Sequence, residues 1–227
     1  MASKARPAIE IKPINIMQVD ITIRGTSPLI THNWSHKAKR EMLDKQRGKK
    51  VTSKHEIKIP VNDFMDSLYW LTKQPEHGNN DDDALYMWER AISNDARFGF
   101  PVAGIKQAII MGAYRAGLDV KQTELRGLMF IVGRGNASTT DVAEIVGPTP
   151  VMREDMVRVG GMSKSADVRY RAEFKEWEIP LRMRYHADGK YTIEQVLNMI
   201  GYGGMYCGIG EWRPEKDGQF GMFELKA

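Results

Sequence analysis

The sequence predicts a mixed α+β fold, and three observations carry this prediction. Apolar and polar residues alternate from Met17 to Arg24, which is the period of a strand with one buried face. Segments 101–116 and 192–200 carry apolar residues at helical spacing. Uncharged or alternating β-rich runs lie between and after these helices. The resulting order is strand, helix, strand, strand, helix, strand.

Before and after the first strand the sequence indicates an arm, a turn and a helix. Residues 1–15 are largely polar and show no sustained period, so we interpret them as an arm that a partner orders. Gly25-Thr-Ser-Pro28 predicts a turn. Ser35 is a suitable N-cap for a helix that runs to about Gln46.

Two further helices are predicted before residue 100. Ile59-Pro-Val begins one, with Phe64, Leu68 and Leu71 on one stripe. A polar break at 74–83 contains three adjacent aspartates. Their spacing is unsuited to a metal, and we expect them at the N-terminus of a helix over 84–92.

The second half of the chain supplies the remaining elements. Phe100-Pro-Val begins the helix 101–116, and Thr192-Ile-Glu-Gln195 is a capping box for a helix that Gly201 ends. Strands are expected over 127–132 (central in its sheet), 142–151, 173–185 and 220–225.

Length and composition favour one domain in a reducing compartment. The 227 residues, 42% of them hydrophobic, suffice for a single large core. One cysteine, Cys207, excludes an intrachain disulfide framework. No apolar run reaches the roughly 20 residues of a membrane span, and the N-terminus has no apolar core of a secretory signal. We therefore expect a cytoplasmic protein.

Positive charge is concentrated rather than abundant. The net charge is only +4, yet nine Lys/Arg face three acidic residues between Trp34 and Lys58. A solvated surface is the ordinary explanation of such a run. Here the neighbouring Trp34, His32 and His36 favour contact with a polyanion.

Residues 152–172 predict a long hairpin that projects from the domain. Glycines mark its tip, arginines flank it, and Met156, Val159 and Met162 are interspersed. A purely structural hairpin has less reason to carry methionine at its tip and arginine along its arms.

The C-terminal segment contains seven glycines between Gly201 and Gly221, with Trp212, Arg213 and Lys216 among them. Glycine allows a close backbone approach to a phosphate or to another chain segment. We interpret the segment as a rigid glycine-rich loop that contacts an anion, while a tight hairpin at a sheet edge stays open as the alternative.

The order β-α-β-β-α-β is that of ferredoxin-like or RRM-like folds. The chain resembles the RAMP superfamily, specifically the RRM-like backbone subunits of CRISPR effector complexes and related phage proteins. The resemblance rests on Ser27-Pro28-Leu29, Phe100-Pro101-Val102-x-Gly104, the 152–172 hairpin and Gly208-x-Gly210 with Gly218-x-Phe220-Gly221. It implies a single RRM-like domain over 1–227 with an insertion at 25–99 and the hairpin as a "thumb".

The resemblance also implies subunits that polymerise side by side along one nucleic-acid strand, with the thumb wedged between bases. Distributed cations suit the phosphates and exposed aromatic or apolar side chains suit the bases. The candidate binding residues are Trp34, Lys37, Lys39, Arg40, Lys45, Arg153, Arg158, Met162, Lys164, Arg169, Arg171, Tyr206, Trp212, Arg213 and Lys216.

Our leading hypothesis is a non-catalytic, sequence-tolerant binder of single-stranded nucleic acid that forms a helical filament. A phage-type role in coating or annealing single-stranded DNA, within a bacterial or phage-infected cell, is favoured. A CRISPR subunit on guide RNA and an oligomeric structural protein stay open.

A metal-independent endoribonuclease is the enzymatic alternative, with His32 or His36 as general base. We find no partner residue for either histidine, no set of metal ligands and no cofactor motif; Gly133-Arg-Gly135-Asn lacks the helix and acid of a dinucleotide fingerprint. Cys207 is interpreted as a core residue.

Overall fold

The computed structural model describes residues 12–34, 36–48, 58–135, 138, 141–159 and 165–226. Within them the protein has an α+β fold, as expected. The helices are α1 (His36–Gln46), α2 (Pro60–Asp66), α3 (Asp81–Ser93), α4 (Val102–Arg115), α5 (Gln122–Leu128) and α6 (Ile193–Tyr206). The strands are β1 (Ile16–Gly25), β2 (Leu29–Thr31), β3 (Tyr69–Trp70), β4 (Phe98–Pro101), β5 (Met129–Gly133), β6 (Val142–Glu144), β7 (Val151–Val159), β8 (Ser165–Phe174), β9 (Glu178–His186) and β10 (Phe223–Leu225).

The largest sheet has the order β10-β1-β9-β5, and every pair in it is antiparallel. Alternate residues of each strand are buried, such as Ile21 and Ile23 on β1 and Leu181 on β9. They form one core with the buried faces of α4 and α6. The period-2 pattern of the sequence is therefore the buried face of this sheet.

Helices α4 and α6 approach each other at a pair of glycines. A Cβ built on Gly112 would lie 2.5 Å from the Cα of Gly203, so only glycine permits this contact. The contact explains why the prediction that α6 stops at Gly201 was wrong. The capping box at Thr192 and Gln195 is confirmed, but the helix continues through Gly203 and Gly204 to Tyr206.

Two smaller antiparallel sheets have the orders β2-β8-β7 and β3-β4-β6. A cluster of aromatic side chains packs edge-to-face or stacked between α2, α3 and these sheets. Its members are Phe64, Trp70, Trp88, Phe98 and Phe174. Segment 64–98 thus packs through this aromatic cluster against Phe174 at the base of the hairpin β7–β8.

Three other element predictions needed correction. Helix α2 ends at Asp66, and Leu71 lies beyond the short strand β3. The expected strand 142–151 is split into β6 and the start of β7, since Pro148 and Pro150 have no N–H for a ladder. The expected central strand 127–132 is instead β5, which forms an edge of the main sheet.

The expected strand 173–185 belongs to two sheets. It breaks after Phe174 because the chain turns at Trp177, whose indole N–H donates to the Ser27 carbonyl at 2.8 Å. The Trp177 ring covers Gly25, where a Cβ would lie 2.2 Å from the ring nitrogen. Residues 1–11 of the expected N-terminal arm lie outside the described residues. None of the described helices has the length and apolar character needed to cross a membrane.

Candidate nucleic-acid interface

The hairpin has two chemically different faces. Residues of β7 and β8 pair from Val151 with Glu173 to Val159 with Ser165. One face carries arginines and acids, namely Arg153, Asp155, Arg169 and Arg171, which are opposite each other in the register. The other face carries Met152, Met156 and Arg158. Met156 is 80% exposed. The predicted tip residues Met162 and Lys164 lie outside the described residues.

Arg171 and Arg153 brace the base of the hairpin. Arg171 is only 4% exposed, and its Nη1 lies 3.2 Å from Asp155 Oδ2. Arg153 Nε lies 2.8 Å from Asp155 Oδ1, and its Nη1 lies 3.0 Å from Glu173. Because Arg171 is buried and paired, it is placed to hold the hairpin base together rather than to contact a ligand.

The C-terminal loop, residues 207–222, packs against the hairpin base and β2. A Cβ built on Gly210 would lie 2.3 Å from the Ile30 carbonyl oxygen, and the Glu211 N–H donates to that carbonyl at 2.9 Å. The Arg153 guanidinium lies 4.8 Å from the Phe220 ring centroid. Arg171 Nη2 lies 3.9 Å from Glu211. Two of the regions singled out in the sequence therefore meet here.

Within this loop the predicted residues have different surroundings. Arg213 donates to the Gly210 carbonyl at 2.9 Å and to Glu215 at 2.7 Å, so it braces the loop. Trp212 has φ 52° and an exposed side chain, and Lys216 is exposed too. Tyr206 lies on α6 beside Tyr202, with ring centroids 6.2 Å apart.

A cleft of about 430 Å³ opens between the end of β2, α2 and β8. Trp34, which is 56% exposed, and Arg169 line it from opposite parts of the sequence. The other lining residues are His32, Asn33, Lys58, Asp63, Asp66, Ser67, Asp167 and Tyr170. Sequence reasoning missed Lys58 and Tyr170 as site residues, although Tyr170 lies between two predicted arginines.

The cleft is mixed in charge rather than uniformly positive, because Asp63, Asp66 and Asp167 line it beside Lys58 and Arg169. Burial raises the pKa of Asp63, against the opposing charge of Lys58. For Asp167, burial alone would raise the pKa, but hydrogen bonds and charge from Lys58 and Arg169 lower it. The Lys58 ammonium also donates to the Val168 carbonyl.

His32 forms the wall of the cleft next to the hairpin base. Arg171 Nε donates to His32 Nδ1 at 3.2 Å, so the ring proton of the neutral imidazole is on Nε2. Burial and then the charge of Arg171 lower the pKa of His32. The neutral ring offers an N–H donor and no free lone pair, which is the opposite of what a general base needs.

Helix α1 begins two residues after Trp34, which lines the cleft. The backbones of Lys37, Lys39 and Arg40 lie on it, while their side chains and that of His36 lie outside the described residues. Lys45, in the last turn, is exposed.

Buried Cys207 has a pKa raised chiefly by burial, which agrees with its interpretation as a core residue. Among residues 12–226 with the gaps given above, no group of three His, Cys, Asp or Glu is placed to hold a metal ion. No protein-family model matches the chain, and no curated protein sequence matches it.

Proposed function

We propose that the protein binds single-stranded nucleic acid without cleaving it and assembles side by side along the strand. The observation that carries the proposal is the cleft at the hairpin base. There an exposed aromatic residue, Trp34, and a half-exposed cation, Arg169, come together from two regions whose composition favours a polyanion. Aromatic platforms beside cations are the common elements of single-strand binding.

The proposal includes an RRM-like core within the α+β fold. An antiparallel sheet in the order β10-β1-β9-β5, with α4 and α6 as the connecting helices, supports it. These elements follow the sequence order β-α-β-β-α-β. The insertion 25–99 and the hairpin then lie outside this core. A relationship to the RAMP superfamily is part of the same proposal.

Available cations on the surface suit a phosphate backbone. Arg158 is exposed and makes no ion pair with the described residues, and Arg169 contacts Asp167 only at 3.5 Å. Lys45, in the last turn of α1, is a further exposed cation. Met156 and Trp212 are exposed apolar groups for contact with bases. The neutral donor state of His32 supports binding over hydrolysis.

The variant Arg158→Ala/Arg169→Ala tests the proposal. Affinity for single-stranded DNA should fall roughly tenfold and about equally for different sequences, because phosphate contacts carry no base information. The slope of log K against log salt should become shallower by about 1.4, as expected for two lost contacts on a single strand. Fluorescence anisotropy at several salt concentrations measures both quantities.

A matched control removes two exposed arginines elsewhere. Arg90 on α3 and Arg126 on α5 are exposed and do not line the cleft. The variant Arg90→Ala/Arg126→Ala should bind like the wild type. If both double variants lose the same affinity, net charge alone governs binding and the hairpin is not part of the interface.

A further inference from the structure

We propose that the cleft at Trp34 holds one unstacked nucleobase and prefers a base that carries an exocyclic amine. This inference rests on the proposed single-strand binding and names which part of the strand enters the cleft. The sequence alone predicts contacts that tolerate any base. The cleft adds a preference for one class of base at one position per protomer.

The size and walls of the cleft suit a base. Its volume is about 430 Å³, and Trp34 and Tyr170 give it two aromatic side chains. Unstacked bases of single strands are held on such aromatic surfaces. Since Trp34 is more than half exposed, its ring is accessible without any change in the fold.

The charges of the cleft exclude a phosphate from its interior. Three carboxylates, those of Asp63, Asp66 and Asp167, line it. Their repulsion keeps a phosphate at the rim, where Lys58 and Arg169 are partly exposed. Carboxylates accept hydrogen bonds from exocyclic amines, as in the pairing of acidic side chains with cytosine N4.

Asp66 is the carboxylate that we place opposite the exocyclic amine of the base. Its side chain is only 8% exposed, and its Oδ1 accepts from Gln74 Nε2 at 2.8 Å and from His77 Nε2 at 2.9 Å. Its Oδ2 accepts no hydrogen bond from the described residues, although the residue lines the cleft. This oxygen is not among the solvent-excluded side-chain atoms that lack a partner, so it is accessible to a hydrogen-bond donor of a ligand.

His32 supplies the complementary donor. Its Nε2 carries the ring proton because Arg171 donates to Nδ1, and this N–H makes no hydrogen bond with any residue that the structure describes. A donor and an acceptor in one cleft match the ring nitrogen and neighbouring amine of cytosine or adenine. Uracil and thymine offer the three carboxylates a single N–H, which lies between two carbonyl oxygens that the carboxylates repel, whereas the amine of cytosine or adenine offers two N–H groups.

Oligonucleotides dC20 and dU20 make a matched pair of probes, since cytosine and uracil differ at position 4 and in the protonation of N3. At pH 8 and 0.15 M salt we expect the wild type to bind dC20 about tenfold more tightly than dU20. Asp66→Asn should reduce this ratio to below about twofold, because an amide offers a donor as well as an acceptor. Asp119→Asn, exposed and outside the cleft, should keep the wild-type ratio.

Trp34→Ala provides a second variant in case Asp66→Asn does not fold. Its exposed side chain contributes little to stability, and its loss should bring dC20 binding down to the level of dU20. Equal or reversed affinities in the wild type would overturn the base preference while single-strand binding stands. A preference that both variants retain would place base recognition outside the cleft. Failure of the wild type to bind either probe would overturn the proposed function itself.

Discussion

At the residue scale, the hydrogen bond from Arg171 to His32 couples the hairpin base to pH. The pKa of His32 in the folded protein is lowered by burial and by the charge of Arg171. The unfolded chain therefore binds more protons on this residue at any pH between the lowered value and about 6.5. Stability conferred by neutral His32 is present above that window and is lost as pH falls through it.

We predict that the free energy of unfolding decreases from pH 7 to pH 5 and that His32→Asn weakens this decrease. The asparagine Oδ1 still accepts from Arg171 but does not titrate. Urea unfolding at intervals of half a pH unit measures the effect. His186→Asn, at the end of β9, should retain the wild-type profile. Parallel profiles for wild type and His32→Asn would show that His32 is not the titrating group.

Residue type was enough to predict some of the residues that line the cleft. Whether the other predicted residues are accessible depends on their burial, which residue type does not show. Trp34 and Arg169 were predicted from charge and aromatic content, and both line the cleft. Arg171 has the same side chain as Arg169 and lies two residues away, but it is buried against Asp155. Both arginines lie on the same face of β8, so the difference between them comes from how close each lies to segments that are distant in the chain, which the local sequence does not encode.

At the scale of elements, α4 and α6 pack closely against each other in the core. The backbones approach at Gly112 and Gly203, where a Cβ on Gly203 would lie 2.7 Å from the Cα of Ile109. Gly201, two residues earlier on the same helix, has no atom within 4 Å of a built Cβ. The two glycines therefore serve different purposes within one helix.

We predict opposite effects of alanine at these two positions. Gly203→Ala should destabilise the protein by about 2 kcal/mol, because the methyl group forces the helices apart. Gly201→Ala should stabilise it by about 0.5 kcal/mol, because alanine is the better helix former and the space is open. Chemical denaturation of both variants measures the difference. Two equal effects would mean that the helix pair can shift without cost.

The same helix shows what local patterns can predict. The capping box fixed the start of α6 because side chains within four residues make the decisive hydrogen bonds. The end of α6 depends on glycines that pack against α4, which is remote in sequence, so glycine content suggested a loop. Likewise, β9 and β8 appeared as one strand because the turn at Trp177 depends on Gly25 and Ser27.

At the scale of the whole molecule, the cleft lies where the segment between β1 and β3 meets the hairpin. Strand β2 pairs with β8 through Leu29–Phe174 and Thr31–Ala172. The hydroxyl of Ser67, after α2, accepts from the Ala172 N–H at 2.8 Å. The composition of the sequence indicates the basic segment and the hairpin separately. That they lie side by side depends on long-range strand pairing, which a single sequence does not reveal.

Side-by-side assembly predicts a stepwise increase in mass on longer strands. With dT oligonucleotides of increasing length, sedimentation should show complexes that gain one protomer for each fixed increment of nucleotides. High salt should dissolve them, because cation–phosphate contacts contribute most of the affinity. One protomer per oligonucleotide at every length would contradict assembly and leave binding by isolated protomers.

The position of strand β7 at the edge of its sheet affects how the protein can associate with other chains. In the order β2-β8-β7 it is a border strand, and its nine residues pair with β8 along one side only. Unsatisfied amide and carbonyl groups in such a row attract extended polypeptide, and charged side chains counter that tendency. Among the residues of β7, the exposed charges of Glu154 and Arg158 are suited to counter fibre formation. Neutral substitutions in this strand should therefore be checked for insoluble cross-β material before any loss of binding is interpreted.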